Sequence, residues 1–281
     1  MNPSLQRLHR SAMFVTVFAV AVILAGAVIT SAEVAARQSE SAVSMAIADA
    51  GLHRYLAMAL TLLALALAIW TSRSAVPRWL PAAAWAGAVA LALDAVLGWA
   101  DPPLSPGIAV FHALLAHLFL SLLCAVALGT SASWNREPEL VDGSKKPLLR
   151  PAALATPPVV FLQITLGSAY RHDLTSIMPH MAIAMGVAFL ALIASSVVLQ
   201  NFPKPASLRR AAGALLAFVL TQVCLGIASF LMLVLNSAGT YYFVLTTAAH
   251  VAVGAGTLAA SLIMAMEVWR SVDLRPNKPL S

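Results

Sequence analysis

Four histidines recur at equivalent places in this chain, and each is followed four positions later by a small residue. The pairs are His53 with Ala57, His112 with Ala116, His180 with Ala184, and His250 with Gly254. Residues four apart lie on one face of a helix, so the small side chain leaves space beside the imidazole. Two histidines from facing helices are the usual axial ligands of a haem inside a helix bundle. The pattern therefore predicts two haem-binding pairs, one in each half of the chain.

Each of these histidines lies near the start of an apolar stretch, and the apolar stretch before it carries a glycine close to its end. The four glycines are Gly26, Gly98, Gly167 and Gly226. Two of them complete matching pentads, Gln163-x-x-x-Gly167 and Gln222-x-x-x-Gly226. A glycine-bearing helix followed by a histidine-bearing helix thus occurs four times, which predicts internal duplication, a common membrane architecture.

Composition places the repeats in a membrane. The 281 residues are 60% hydrophobic and 10% charged, whereas a soluble domain carries roughly 25% charge. Apolar runs of spanning length predict helices at 12–32, 53–71, 80–99, 108–130, 152–169, 177–200, 211–236 and 241–268. We predict an all-α polytopic membrane protein with eight transmembrane helices in two pseudo-symmetric four-helix bundles. The boundaries expected are 1–135 for the N-terminal four-helix bundle, 136–150 for a cytoplasmic linker, and 151–281 for the C-terminal four-helix bundle.

The net charge of +6 reflects membrane topology and does not indicate a nucleic-acid partner. Of the 17 Lys and Arg residues, 14 fall on one side of the eight-helix arrangement. The other side has only Arg37, Arg54 and Arg171. This split predicts cytoplasmic termini in a bacterial-type plasma membrane. The four histidines are then expected toward the extracytoplasmic side.

Other polar residues give weaker signals. Arg54 and Arg171 fall at the predicted mouth of the sites and are candidate partners of haem propionates, with interfacial snorkelling as the alternative. His117 lies on a different helix face from His112, which favours packing. His9 is expected at the cytoplasmic surface and His172 in a loop. The sequence places no Cys or carboxylate cluster beside the histidines, which argues against zinc as the bound metal.

Several segments resemble the heme A synthase family of integral-membrane cytochrome oxidase assembly proteins. They are His53-Arg54, SPGIAVFHALLAHLF around His112, QITLGSAYRH, PHMAIA around His180, and AAHVAVGAGTLAAS around His250. The resemblance implies haem b, with iron bound by His180 and His250, and haem O as substrate at His53 and His112. The implied reaction oxidises the C8 methyl group of haem O to a formyl group, with oxygen from water and electrons passing to an acceptor.

The chain departs from that family where catalysis is concerned. The family has a glutamate three residues before the first histidine, and this chain has Ala50 there, with Asp49 beside it. Asp49 is the candidate catalytic carboxylate, since a nearby carboxylate accepts protons and stabilises positive charge. The alternatives are a non-catalytic diheme electron carrier or haem-handling assembly factor on the same fold, and a transporter. Expected partners are haem O, the protein that supplies it, an electron acceptor and the lipid bilayer. A homo-oligomer stays open.

Overall fold

The structure, a computed structural model, describes residues 3–38, 50–99 and 104–274. Its helices are α1 (Pro3–Gln38), α2 (Ala50–Ser72), α3 (Trp79–Trp99), α4 (Pro106–Thr130), α5 (Leu149–Arg171), α6 (Ile177–Asn201), α7 (Ala206–Val234) and α8 (Tyr241–Ser271). All eight are long and apolar enough to cross a membrane. A helix satisfies its own backbone groups, which lipid cannot do. The predicted all-α fold with eight spanning helices is confirmed, and these helices indicate an integral membrane protein.

Some helices begin earlier or end earlier than the predicted apolar spans. Helix α1 begins at Pro3, well before the predicted start at 12, because nothing in its polar first turns breaks the helix. Helix α7 begins directly after Pro205 and ends at Val234, short of the predicted 236. Asn236 has a φ of 53°, the left-handed conformation common just after a helix C-terminus. Apolar windows mark what lies in hydrocarbon, whereas breakers and caps end the helix.

The helices form two closed rings of four. In the first ring α1 packs on α2, α2 on α3, α3 on α4 and α4 back on α1. Helices α5 to α8 repeat this order, with α8 packing back on α5. Each ring has its own apolar core: Leu60, Leu80 and Phe119 are buried in the first, and Leu215 and Met264 in the second.

The two rings meet through four helices, two from each ring. Helix α8 packs against α1 and α4, and α4 also contacts α5. Ala255 of α8 is fully buried and joins the core of the first ring. A methyl side chain permits this close approach between helices, as is usual in membranes.

The segment between the rings is tied to the end of the chain. A two-residue strand, β1 (Val141–Asp142), pairs in parallel with β2 (Val272–Asp273). Gly143 N–H donates to the Asp273 carbonyl at 2.7 Å, and Arg150 donates to the carbonyls of Trp269 and Val272. Sequence analysis treated this stretch only as a polar linker, because a strand of two residues leaves no periodic pattern.

Candidate functional site: four histidines seated on glycines

Each of the four histidines lies directly against the glycine of the preceding helix. A Cβ added at Gly26, Gly98, Gly167 or Gly226 would lie 2.8, 3.1, 2.8 or 3.1 Å from Cε1 of His53, His112, His180 or His250, respectively. Real Cβ contacts essentially never fall below about 3 Å. An added methyl group would force the imidazole to move at Gly26 and Gly167 and would press tightly on it at Gly98 and Gly226, so each ring occupies the volume of a side chain on the neighbouring helix. The fourfold spacing seen in the sequence corresponds to one repeated contact.

The same neighbouring helix supplies a hydrogen-bond acceptor for the ring. His112 Nδ1–H donates to the Asp94 carbonyl, and His180 Nδ1–H to the Gln163 carbonyl, both at 3.2 Å. Asp94 and Gln163 each stand four residues before the glycine that seats the ring. A histidine that binds a metal through Nε2 usually donates its Nδ1–H in this way, which fixes the tautomer.

The other two rings follow this arrangement less closely. Nδ1 of His53 and of His250 is buried and has no hydrogen-bond partner among the described residues. The backbone of Val22 lies near His53, and that of Gln222 near His250. Val22 and Gln222 also stand four residues before the seating glycine.

The rings approach each other in pairs. The centroids of His180 and His250 are 6.3 Å apart, with ring planes at 80°. Two imidazoles that bind one metal from opposite sides through bonds of about 2 Å have centroids roughly 6 Å apart. His53 and His112 lie within electrostatic range of each other. The pairing in space is thus His53 with His112 and His180 with His250, and the second pair has the separation that a shared iron needs.

Amide side chains of two odd-numbered helices, α5 and α7, contact the rings of the second histidine pair. The Gln163 amide nitrogen is 2.9 Å from His180 Nδ1, and the Gln222 amide nitrogen is 3.3 Å from His250 Nε2. The Gln222 amide also lies over Gly254, where an added Cβ would meet it at 3.2 Å. The space that the small residue after His250 creates is therefore shared with the Gln222 side chain.

Arg171 connects the two rings of helices at the histidine end. Its Nη2 donates to Ser31 Oγ at 2.6 Å and to Thr30 Oγ1 at 2.9 Å, both on α1. Arg37 of α1 donates in return to the Arg171 carbonyl at 3.1 Å. Arg171 also lies within electrostatic range of His250. Sequence analysis proposed a propionate partner but did not predict this contact between the halves.

Arg54, the second candidate propionate partner, is half-buried beside His53. Within the described residues it has no hydrogen bond or ion pair, so its guanidinium group remains available to an anion.

His172 follows Arg171 at the end of α5 and faces the first half. It lies within electrostatic range of His112. Burial lowers the pKa of His172, and the positive charges of Arg171 and Arg37 lower it further. The ring is consequently neutral at pH 7. This places an uncharged imidazole on the side of Arg171 that faces His112.

Two further histidines have structural partners. His117 is buried, at 4% exposure, and its Nδ1–H donates to the Ala113 carbonyl of its own helix at 2.6 Å. His9 was expected at the surface, but it is half-buried, and its Nδ1–H donates to the Ala127 carbonyl on α4 at 3.0 Å. Sequence reasoning missed the His9 contact because nothing local signals which helix α1 packs against.

The candidate catalytic carboxylate, Asp49, lies outside the described residues. Helix α2 begins at Ala50, one helical turn before His53. Across the described ranges, no three His, Cys, Asp or Glu side chains cluster as a bare metal ion would require. Each histidine pair presents two imidazoles, the number of axial ligands that a haem iron can take from a protein.

The comparison with protein families agrees with this geometry. Residues 51–178 match the COX15-CtaA family model, described as cytochrome oxidase assembly protein. No curated protein matches the chain. The match confirms the resemblance to the heme A synthase family over this part of the chain and supports a role in cytochrome oxidase assembly. It includes His53 and His112 and ends two residues before His180.

We predict that Gly167→Ala disturbs the second histidine pair. The new methyl group would lie 2.8 Å from His180 Cε1, so the ring must move away from Gln163 and His250. The matched control is Gly186→Ala on the next helix, where an added Cβ meets nothing within 4 Å. Haem content of the purified proteins should fall roughly tenfold for Gly167→Ala and stay unchanged for the control. Equal haem content in both variants would contradict the seating argument.

Proposed function

We propose that the chain is a heme A synthase-like oxidoreductase over its whole length, acting in cytochrome oxidase assembly. The observation that carries the proposal is the repeated seating of an imidazole on a glycine, which produces two histidine pairs in one fold. The 6.3 Å separation of His180 and His250 supports iron binding by the second pair. The family match over residues 51–178 supports the same role for the first.

The residues fit the two haems that we assign to them. His180 and His250 would hold haem b as the resident cofactor, which supplies one-electron redox chemistry when bound. His53 and His112 would hold haem O as the substrate. His112 already directs Nδ1–H to a backbone carbonyl, which leaves its Nε2 for iron. The Gln163 amide nitrogen lies 3.3 Å from His180 Nε2, and it would turn aside where that nitrogen binds iron.

The proposed reaction converts the C8 methyl group of haem O to a formyl group. One water supplies the oxygen, and the methyl carbon is oxidised by four electrons while four protons are released, two from the methyl group and two from the water, so the site needs proton acceptors and an electron exit. We assign proton acceptance to Asp49, the carboxylate nearest in sequence to His53. Electrons would leave through the haem b half to an external acceptor, and a separate protein would supply haem O.

Two arginines are proposed to hold the propionates. Arg54 is half-buried beside His53 and has no partner among the described residues. Arg171 uses Nη2 on α1, while its Nε is buried without a hydrogen-bond partner in the part of the chain that the structure describes. Guanidinium groups with unused N–H donors suit carboxylates. Arg171 would then join the two halves and contact the haem of its own half.

A second function is a non-catalytic diheme electron carrier or haem-handling factor. The observation that favours it is Ala50, which stands where the family resemblance implies a glutamate. Both functions require the same haem sites. They differ in whether a carboxylate serves the methyl group of haem O.

We also propose that both termini face the cytoplasm and that the histidines lie toward the opposite side of the plasma membrane. The one-sided distribution of Lys and Arg supports this orientation. A C-terminal fusion to green fluorescent protein should be fluorescent, and a C-terminal fusion to alkaline phosphatase inactive. The reverse result would overturn the assignment.

We predict that His180→Ala and His250→Ala each abolish retained haem b, because one imidazole cannot replace the pair. His9→Ala serves as the control. His9 hydrogen-bonds to the end of α4, away from the histidine pairs, so this substitution should leave the bound haem intact. The measurement is haem per chain from the pyridine haemochrome spectrum. Unchanged haem in both site variants refutes the pair assignment.

Expression together with a source of haem O separates the two functions. We expect haem extracted from the cells to contain the alcohol and aldehyde products of haem O. In His53→Ala the products should fall by about tenfold or more, while the haem held by His180 and His250 remains. A protein that retains haem O but forms neither product would instead be the carrier or assembly factor.

A further inference from the structure

The residue four places before the glycine that contacts each histidine is ionisable in one repeat and neutral in the other three. These residues are Val22, Asp94, Gln163 and Gln222. Three are neutral, and Asp94 alone among them is ionisable. It stands behind His112, which belongs to the pair assigned to the substrate haem. The equivalent positions behind the haem b pair carry amides. The repeat therefore contains its own comparison between a charged and a neutral neighbour of the imidazole.

Asp94 makes close contact with the histidine ring. Its Oδ1 lies 2.8 Å from His112 Nδ1, and its backbone carbonyl accepts the Nδ1–H at 3.2 Å. The residue is 6% exposed. Oδ1 is buried and has no other hydrogen-bond partner among the described residues. The N–H points toward the carbonyl, so the carboxylate acts on the ring chiefly through its charge.

The side of the ring decides what Asp94 can do. The carboxylate faces Nδ1, whereas a haem iron would be bound through Nε2 on the far edge of the imidazole. Asp94 is thereby separated from the C8 methyl group by the ring itself. It is a positioning residue, and it does not replace the missing glutamate as a proton acceptor.

A buried carboxylate within a membrane helix is costly unless a positive charge compensates for it. No Lys or Arg lies within ion-pair distance of Asp94 in the described ranges, where the one close partner is His112. A ferric haem is the cation that would complete this site, because its iron adds positive charge to the ligated imidazole. The neutral amides of Gln163 and Gln222 offer no such compensation to the iron of the second half.

We infer that Asp94 is the residue that sets the redox character of the substrate site. Its negative charge behind His112 orients the ring, makes it a stronger donor, and favours the ferric state of the haem bound there. Hydrogen bonding and charge around an axial ligand are recognised controls on haem potential. This inference rests on the proposed function, since it requires His112 to bind haem iron.

The charge of Asp94 predicts which half holds its haem at the lower midpoint potential. A haem held by His53 and His112 would have a lower midpoint potential than one held by His180 and His250, because only the first lies beside an anion. Electrons removed from the substrate half would then pass to the haem b half downhill. The charge of Asp94, which the other three repeats lack, thus agrees with the proposed roles of the first half as electron donor and the second half as electron acceptor.

The test uses the full-length protein loaded with excess haem b as the probe for both halves. Asp94→Asn preserves the shape and removes the charge, and Asp94→Gln makes the first half resemble the second. Gln222→Asn is the matched control behind His250. Haem per chain and both midpoint potentials are measured by redox titration. His53→Ala identifies the signal of the first half.

We expect Asp94→Asn and Asp94→Gln to shift the ferric–ferrous equilibrium of the first-half haem at least tenfold toward ferrous, about 59 mV for a one-electron couple. Selective loss of that haem also supports the inference. The second-half potential should stay unchanged in these variants. Gln222→Asn should leave the first-half potential unchanged.

Two results would overturn the inference while leaving the proposed function intact: unchanged potentials with both haems retained, or a shift confined to the second-half haem. A different result separates the two claims. If the wild-type protein binds no haem that depends on His53 and His112, the proposed function fails, and the role of Asp94 fails with it.

Discussion

The close packing of an imidazole on a glycine of the preceding helix is the contact on which the rest of the structure depends. Each histidine-bearing helix can approach its neighbour only because Gly26, Gly98, Gly167 and Gly226 have no side chain. In a membrane, apolar side chains gain little from leaving lipid, so helix association relies on shape and on polar contacts. The four hairpins obtain both from the same pair of residues. Packing and ligand placement are therefore the same interaction in this fold.

Much of this could be predicted from sequence because lipid allows few solutions. Spanning length and the scarcity of charge indicated eight helices, and the repeated glycine and histidine indicated an internal duplication. The helix ends were less accessible, since composition does not reveal that Asn236 terminates α7 or that α1 continues through Arg7 and Arg10. The strand pair between the linker and the chain after α8 has no signature, because two residues form no period.

The candidate site was likewise predictable where it depends on local spacing, and not where it depends on how the helices pack. Local spacing identified the four histidines and marked Gln163 and Gln222 as a matched pair. The contacts of Arg171 with α1, and of His9 with α4, depend on how the two rings of helices are placed, which no local pattern encodes. Asp94 was visible as a polar residue in an apolar helix. Its meaning emerged only when the backbone placed it behind His112, at the position that amides occupy behind His180 and His250.

The pairing of β1 with β2 has a consequence for biosynthesis. A chain made from its N-terminus can insert and pack α1 to α4 early, since that ring needs no later residue to close it, apart from its contacts with α8 and Arg171. The second ring differs, because the strand at Val141 can pair only after Val272, which follows α8, has been synthesised. Pairing of the segment before α5 is thus coupled to synthesis of the segment after α8. A truncated chain that lacks β2 would leave the ribosome with β1 unpaired, and quality-control proteases can distinguish this state from the finished protein.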